Sequence, residues 1–365
     1  MPSIHSLHKP LIDHTHPRPV SPMPGEFLKI GSDRFAAMTR CLAGMARRAV
    51  LLAFCVAIPL PSLAAEPYPS QPVRLVVGWA AGGYTDILAR SLAARLTASW
   101  KTQVVVDNKP GASEIVAASL VANAKPDGYT LFFVTDQALL ANEFLYSRLP
   151  YSSAKNFAPV TRIATAPAAI LVRADGPYHT LRELVEAAKR APGRITYGSN
   201  GPGSQGHLIG NWFAEKAGIE FTHVPYKGGA PAIQALLAGE VDMVPTGLGS
   251  VGAHLKANKL RALAVTSPKR IPTMPEIPTF IDAGYDVDVQ VMFALVAPKE
   301  TDAKVIMKIA HDVREIITEP GFAQQQIERH GNFVVADTPQ EFVDFLTSDT
   351  PRVRARIAAA KVKLD

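Results

Sequence analysis

Short apolar runs alternate with amphipathic segments along the chain from about residue 72. The β-branched run Val73–Val77 is followed by a Gly-rich stretch and then by residues 86–100, where apolar positions recur every three or four residues. Two more apolar runs, at residues 103–106 and 130–134, flank a helical pattern at residues 112–124. This order predicts strand–helix–strand units and a parallel sheet, because consecutive parallel strands need a crossover helix.

The same alternation returns in the second half of the chain. Two α/β sets of similar plan favour two lobes, each a mainly parallel sheet flanked by helices. We predict one lobe from residues 66–169 with 291–365 and a second lobe from residues 170–290. The further predicted strands are residues 168–172, 195–197, 221–224, 241–244, 261–265 and 287–296, and the further predicted helices are residues 181–190, 204–217, 230–238 and most of 302–363.

A positive segment and then an apolar one precede the predicted lobes. Arg47 and Arg48 come before an apolar stretch at residues 49–60, and small residues follow it. A stretch of about a dozen apolar residues is shorter than the roughly 20 that a membrane-spanning helix needs. We therefore predict a signal peptide at residues 45–65, cleavage near Ala64-Ala65 and a periplasmic mature protein.

Residues 1–44 contain several His and Pro and show no periodicity. Because a signal peptide normally begins at the N-terminus of the precursor, we expect translation to begin at Met45 or Met38. On that interpretation residues 1–44 are no part of the mature protein.

The charge of the chain lies mainly in this leader. The whole chain has a formal charge of +6, but residues 1–65 contain seven Lys or Arg against three Asp or Glu, so the remainder carries only +2. No dense basic run is present in the remainder, and we expect no nucleic-acid partner. Both cysteines, Cys41 and Cys55, precede the predicted cleavage point, so the mature chain has no disulfide.

The sequence lacks the common motifs of catalysis. Ser204 has no glycine two positions before it, as a nucleophile elbow requires, and no Walker A motif or G-x-G-x-x-G sequence follows the first strand. The histidines lack the spacing of a metal site. We therefore predict no enzyme, no catalytic or metal-binding residue and no cofactor. A metal-free enzyme that uses carboxylates from distant loops is the alternative left open.

Four loops rich in Gly, Ser, Thr and Asn follow predicted strands. We name them loop one (residues 80–86), loop two (134–138), loop three (198–205) and loop four (245–250). In open parallel sheets ligands bind beyond the carboxyl ends of the strands, and a helix that starts there offers free N–H groups to an anion. The candidate ligand-binding residues are Trp79, Ala81, Gly82, Gly83, Tyr84, Thr85, Asp86, Thr135, Asp136, Gln137, Ser199, Asn200, Gly203, Ser204, Gln205, Thr246 and Gly247.

Each loop also has a simpler interpretation. Glycines at strand-to-helix turns often serve the turn alone, and Asp86 is then a first-turn residue favoured by the helix dipole. Tyr84 and Trp79 either pack in the core or line the pocket, whereas His207 and Lys227 fit structural roles. The recurrence of four such loops in two similar lobes favours a cleft that binds a small carboxylate.

Five motifs resemble those of the Bug-type solute-binding receptors of tripartite tricarboxylate transporters. They are Gly82-Gly83-Tyr84-Thr85-Asp86, VVDNKPGA at 105–112, PDGYTL at 126–131, VPYKGGAPA at 224–232 and LRALAVT at 260–266. The resemblance covers nearly all of the predicted mature chain. It implies a two-lobed periplasmic-binding-protein (Venus-flytrap) fold, in which backbone amides, hydroxyl groups and ordered water hold a small carboxylate between the lobes.

The resemblance also implies partners. Loop one and loop three are the main anion contacts of such receptors. The loaded receptor, which we expect to be a monomer, delivers its ligand to membrane permease subunits. In a second interpretation the protein is a periplasmic sensor component that signals to a histidine kinase, and in a third it is a secreted enzyme.

Some positions depart from the family pattern. Ala81 replaces a proline, Tyr84 replaces a small residue, and Thr246-Gly247 stands where an Asp-Asn pair is common. A Trp-Gly feature is also missing near residues 291–293. The missing acidic group argues against a ligand with an ammonium group, and Tyr84 suits stacking on a ring. We therefore expect a simple organic acid, for which an aromatic acid is one candidate.

Overall fold

The computed structural model describes residues 68–364, so the predicted signal peptide, its cleavage site and residues 1–44 lie outside the described residues. Within this range the strands are β1 (Val73–Val77), β2 (Val104–Asn108), β3 (Thr130–Thr135), β4 (Phe157–Arg173), β5 (Thr196–Ser199), β6 (Thr222–Pro225), β7 (Met243–Gly247), β8 (Leu260–Val265), β9 (Gln290–Pro298) and β10 (Phe333–Val334).

The helices within the described range lie between these strands and after them. None of them is long and apolar enough to cross a membrane. They are α1 (Tyr84–Trp100), α2 (Ile115–Ala122), α3 (Asn142–Leu145), α4 (Ser153–Asn156), α5 (Leu181–Arg190), α6 (Gln205–Ala217), α7 (Gly229–Ala238), α8 (Gly252–Lys256), α9 (Ala303–Thr318), α10 (Pro320–Phe322) and α11 (Pro339–Ala360), with π-helical turns at Gln137–Ala141 and Ala323–Ile327 and 3-10 turns at Leu248–Ser250 and Glu328–His330.

The first sheet has a parallel part and an antiparallel part. β2, β1 and β3 are parallel neighbours in that order. β9 adds antiparallel to β3, the first part of β4 adds antiparallel to β9, and β10 adds antiparallel to β4. Leu75 and Phe133 on the strands pack with Leu88 and Leu92 of α1, and all four side chains are fully buried. The apolar spacing of residues 86–100 therefore marks the face that α1 buries against the sheet.

The second sheet repeats this plan. β6, β5 and β7 are parallel, and the second part of β4 adds antiparallel to β7 and to β8. α6 packs closely on this sheet, because a Cβ at Gly210 would lie 2.5 Å from the Tyr197 ring. The helix ends at Gly218, which has a left-handed φ of 61° and directly follows the helix predicted at residues 204–217. The predicted two-lobed α/β fold is confirmed, although both sheets are mixed; the lobe boundaries stay a prediction.

β4 is much longer than the strand predicted at residues 168–172. It begins at Phe157 and contains Pro159 and Pro167. Proline lacks the N–H that a central strand needs, which argues against a strand in the sequence. In the structure the pairing with β9 shifts register just after Pro159, so the proline lies at an irregularity of the ladder. One strand therefore runs through both sheets.

The register of the strands shows that the two sheets turn the carboxyl ends of their parallel strands toward each other. β3 ends at Thr135, which is level with Phe293 of β9 and, through it, with Ala164 of β4. β7 runs in the opposite direction and ends at Gly247, level with Ala168 of β4. The carboxyl ends of the two sheets therefore face each other across a gap of four residues, or about 13 Å measured along β4.

Candidate ligand-binding site

Asp86 holds loop one in shape. Its Oδ2 accepts hydrogen bonds from the Gly82 N–H at 2.9 Å and from Arg90 Nε at 3.0 Å, and its Oδ1 accepts one from Asn108 Nδ2 at 2.9 Å. The same Asn108 amide donates to the Trp79 carbonyl at 3.0 Å. Burial alone would raise the pKa of Asp86, but the hydrogen bonds from Arg90, Gly82 and Asn108 outweigh it and lower the pKa. The carboxylate is thus bound inside the loop.

The exposed part of loop one is mostly backbone. Ala81, Gly82 and Gly83 are exposed and Thr85 is half-buried, and Trp79, just before the loop, is 39% exposed. α1 starts directly after Gly83 without a side-chain cap. A helix of this kind leaves its first N–H groups without protein partners. Loop one therefore presents backbone donors at the carboxyl edge of the first sheet.

Tyr84 packs away from these donors. Its ring lies 5.3 Å from Phe293 and 5.1 Å from His330 between ring centres, and its hydroxyl donates to the Gln326 carbonyl at 2.8 Å. Burial raises the pKa of Tyr84 to about 12. The aromatic ring therefore joins loop one to residues 326–330 of the C-terminal part.

Tyr84→Phe is expected to cost about 1 kcal/mol of unfolding free energy, because it removes one hydrogen bond and keeps the ring contacts. It should leave the affinity for a carboxylate within about twofold, because the hydroxyl is bound to Gln326. Urea unfolding and calorimetric titration of the same sample measure both quantities. A tenfold loss of affinity with unchanged stability would mean that the hydroxyl contacts the ligand.

The side chains of loop two are turned toward the protein. Asp136 Oδ1 accepts from the Met292 N–H at 3.1 Å, and Gln137 Nε2 donates to Asn142 Oδ1 at 2.7 Å. Burial raises the pKa of Asp136 to about 6, although the Met292 N–H and Arg356 act against it. Thr135 donates its hydroxyl to Glu114 Oε2. Loop two thus differs from loop one, because its polar groups already have protein partners.

Sequence reasoning missed Glu114. This residue follows the VVDNKPGA motif and precedes the apolar helix α2, where nothing in the pattern sets it apart. The structure buries its side chain completely between the ends of β1 and β3. Its backbone is left-handed, with φ of 71°, which is uncommon for a non-glycine residue. A buried acid beside Thr135 therefore belongs to the surroundings of the candidate site.

Two stacked histidines form hydrogen bonds with loop three. The rings of His207 and His223 lie 4.0 Å apart and nearly parallel, at 10°. His223 Nε2 lies 2.6 Å from Ser199 Oγ, and His207 Nδ1 accepts from the Gly203 N–H at 3.1 Å. Burial, together with His223, lowers the pKa of His207 to about 4. His207 is thus structural, as its simpler interpretation proposed, and it shapes the loop.

Most hydroxyl groups of loop three have partners within the loop. Ser199 Oγ accepts from the Gly201 N–H at 3.1 Å, and Ser204 caps α6 and donates to the Gly201 carbonyl at 2.6 Å. Asn200 is exposed, and Gln205 has a buried Nε2 without a hydrogen-bond partner. Gln205 is therefore the side chain of loop three with a buried donor that still has a hydrogen bond to give.

Contacts link loop three and loop four to their neighbours. A Cβ at Gly203 would lie 2.6 Å from Leu364, so the C-terminal tail packs on loop three. Thr246 and Gly247 are half-buried at the end of β7. Gly249 faces His330, whose ring also contacts Tyr84. His330 therefore lies between loop one and loop four.

The structure thus places the predicted residues on two facing edges. Loops one and two follow the parallel strands β1 and β3 of the first sheet, and loops three and four follow the parallel strands β5 and β7 of the second. Within residues 68–364 no group of three or more His, Cys, Asp or Glu side chains comes together at a possible metal site. The exposed backbone of loop one and the free amide of Gln205 are among the donors that this arrangement offers to a ligand.

Comparison with known proteins gives one consistent result. Residues 88–362 match the family described as the tripartite tricarboxylate transporter family receptor. The chain is 34% identical over 318 residues to a UPF0065 protein from the tcbD-tcbE intergenic region of Pseudomonas sp. strain P51, which covers 85% of this chain and 94% of that relative.

Solved structures are similar over most of the chain. The periplasmic binding protein BugD has a TM-score of 0.69 at 32% identity, covering 81% of this chain and 99% of BugD. R. palustris Rpa4515 with adipate has a TM-score of 0.73 at 31% identity, covering 81% and 99%. MatC from Rhodopseudomonas palustris with bound malate has a TM-score of 0.68 at 26% identity, covering 80% and 100%.

Proposed function

The chain belongs to the tripartite tricarboxylate transporter receptor family, and from that premise we propose that it captures a small organic carboxylate between its lobes and delivers it to membrane permease subunits. It is a periplasmic solute-binding receptor by family and fold. The family description names a transporter, which supports delivery to a permease. The export signal at residues 45–65 and the monomeric state remain predictions of this proposal.

The facing carboxyl edges of the two sheets carry the proposal. The ends of β3 and β7, where loop two and loop four lie, face each other about 13 Å apart along β4, and loop one and loop three follow the neighbouring strands β1 and β5. A gap of this width suits a molecule of a few carbon atoms held from both ends. Such a ligand contacts both lobes at once, so its binding favours their closed arrangement.

The donors at the gap favour an anion. The uncapped start of α1 offers N–H groups and the partial positive charge of a 17-residue helix. Gln205 adds a neutral amide donor at the start of α6. Asp86, the acid nearest this edge of loop one, is already paired with Arg90 and two amides and leaves no free negative charge in the loop. A carboxylate is the common group that this set of donors recognises.

Two of the similar structures contain dicarboxylates, adipate and malate. They support an aliphatic acid as the ligand of this chain. The Tyr84 ring is packed on Phe293 and His330, so it has little free surface for stacking on an aromatic acid. We therefore propose an aliphatic acid as the ligand. Binding of an aromatic acid is the second prediction, and the same ligand panel tests it.

A thermal-shift panel tests this function on protein that has been unfolded, dialysed and refolded to remove any bound ligand. We expect adipate or malate to raise Tm by several degrees at 100 times Kd, because this concentration adds about 2.7 kcal/mol of stability. Benzoate, glutamate and glucose complete the panel. NMR of the recovered acid should show no product. Stabilisation by glucose or glutamate alone, or conversion of the acid, would contradict the proposal.

A further inference from the structure

Glu114 lies at the carboxyl edge of the first sheet, between the starts of loop one and loop two. A Cβ at Gly78 would lie 2.7 Å from Glu114 Cγ, so the Glu114 side chain passes directly over the residue that follows β1. Its Oε2 accepts the hydroxyl of Thr135, the last residue of β3. β1 and β3 are parallel neighbours, and the carboxyl group therefore lies where their ends meet.

The other oxygen of this carboxyl group has no partner. Glu114 is 0% exposed, and its Oε1 is a buried atom without a hydrogen bond. A polar atom in this condition destabilises the protein unless another molecule completes it. The backbone adds a second cost, because Ala112, Ser113 and Glu114 in succession have φ of 44°, 52° and 71°. Strain of this kind is often found at functional sites.

The surroundings of Glu114 set its charge. Burial raises the pKa of Glu114 to about 8, and the nearby Asp136 acts in the same direction, against the hydrogen bond from the Thr135 hydroxyl. Near neutral pH the group is therefore a carboxylic acid. A proton on Oε1, the oxygen without a partner, would make this atom a buried donor without an acceptor.

We propose that Glu114 is a specificity-determining residue that donates to a second carboxylate of the ligand, so that the receptor selects dicarboxylates over monocarboxylates. The inference rests on the proposed function and adds a second polar subsite to it. Loop one holds one carboxylate of the ligand through backbone N–H groups, and the free Oε1 of Glu114 marks the second. A neutral acid and a carboxylate form a short, charge-assisted hydrogen bond.

The charge states around this subsite determine how binding depends on pH. Asp136 on loop two is the charged group that faces Glu114. The Tyr151 hydroxyl is also near, because the charge of Glu114 contributes to the raised pKa of Tyr151. Raising the pH through about 8 ionises Glu114, which then repels a second carboxylate. The pH range from 7 to 9 lies above the pKa of Asp136 and below that of Tyr151, so Glu114 titrates alone of these three groups.

The test compares adipate with hexanoate, which has the same number of carbons and one carboxylate, by calorimetric titration of the ligand-stripped protein. We expect adipate to bind at least tenfold more tightly than hexanoate at pH 7. The adipate Kd should rise about tenfold from pH 7 to pH 9, because the protonated fraction of Glu114 falls by that factor, while the hexanoate Kd stays constant.

Two variants assign the effect to residue 114. Glu114→Gln keeps the size and a donor, so it should retain the preference for adipate and lose the pH dependence. Glu114→Ala should bind both acids equally, near the hexanoate Kd of the unchanged protein. Equal affinity of the unchanged protein for both acids, or the same pH dependence in Glu114→Gln, would overturn this inference and leave the proposed function standing. Failure of both acids to bind the unchanged protein would instead contradict the proposed function, so the two failures are distinguishable even if a variant does not fold.

Discussion

Asp86→Ala is expected to remove carboxylate binding and to lower the unfolding free energy by about 3 kcal/mol. The substitution leaves the Gly82 N–H and one N–H of the Asn108 amide without their acceptor, and a hydrogen bond to a charged group contributes about 1.5–3 kcal/mol. Loop one then loses the bonds that fix its exposed amides. The loss of two charge-assisted contacts to the ligand corresponds to at least about a hundredfold in Kd.

Asp302→Ala is a matched control for this prediction. Asp302 also accepts a bond from a helix N–H, that of Lys304 at 2.7 Å, but it caps α9, which begins just after the end of β9 farthest from the gap. Loss of such a cap costs about 1 kcal/mol, and we expect no change in Kd. Calorimetric titration and urea unfolding compare the two variants. Carboxylate affinity of Asp86→Ala within threefold of the unchanged protein would contradict the positioning role of Asp86.

Acid should destabilise the protein through the stacked histidines below loop three. The pKa of His207 is lowered from 6.5 to about 4, so the folded protein holds this residue neutral while the unfolded chain protonates it. The stabilising effect is therefore complete above about pH 6.5 and is lost as the pH falls toward 4. The pKa difference corresponds to roughly 3 kcal/mol. Protonation also removes Nδ1 as the acceptor for the Gly203 N–H.

His207→Phe isolates this contribution. The ring keeps the stacking on His223 but cannot take up a proton, so the variant should be less stable than the unchanged protein at pH 7 and approach it as the pH falls to 4.5. Urea unfolding at pH 7, 5.5 and 4.5 measures the difference in unfolding free energy between His207→Phe and the unchanged protein. The contributions of the titrating groups that both proteins share cancel in this difference. His311→Phe, at an exposed position on α9, controls for the removal of a histidine. A His207→Phe difference that stays constant or widens in acid would exclude this mechanism.

The order of strands and helices was predictable from local pattern. The apolar run of β1, the helical spacing of α1 and the glycine that ends α6 are all determined within a few residues, and each is found where the pattern indicates. β4 was only partly predictable, because Pro159 and Pro167 both argue against a strand, and the register shift that accommodates Pro159 in the pairing with β9 cannot be seen in the sequence. Local pattern therefore predicts elements better than it predicts irregular pairing.

The candidate site was predictable as a set of loops but not as a set of contacts. The loops follow from the carboxyl ends of predicted parallel strands. In contrast, Asp86 is hydrogen-bonded to Asn108, which lies 22 residues later in the sequence, and Ser199 to His223, which lies 24 residues later. These partners are set by the tertiary fold. Glu114 was missed for the same reason, since only the packing of Gly78 and Thr135 around it makes it unusual.

A crystal structure of the refolded protein saturated with adipate tests the central claim most directly. The account predicts one carboxylate within about 2.7–3.2 Å of backbone N–H groups at the start of α1, with the ligand lying in the gap between loop one and loop three. Adipate bound elsewhere on the protein, or a gap that holds no adipate at saturating concentration, would contradict the claim that the facing edges of the two sheets form the ligand site.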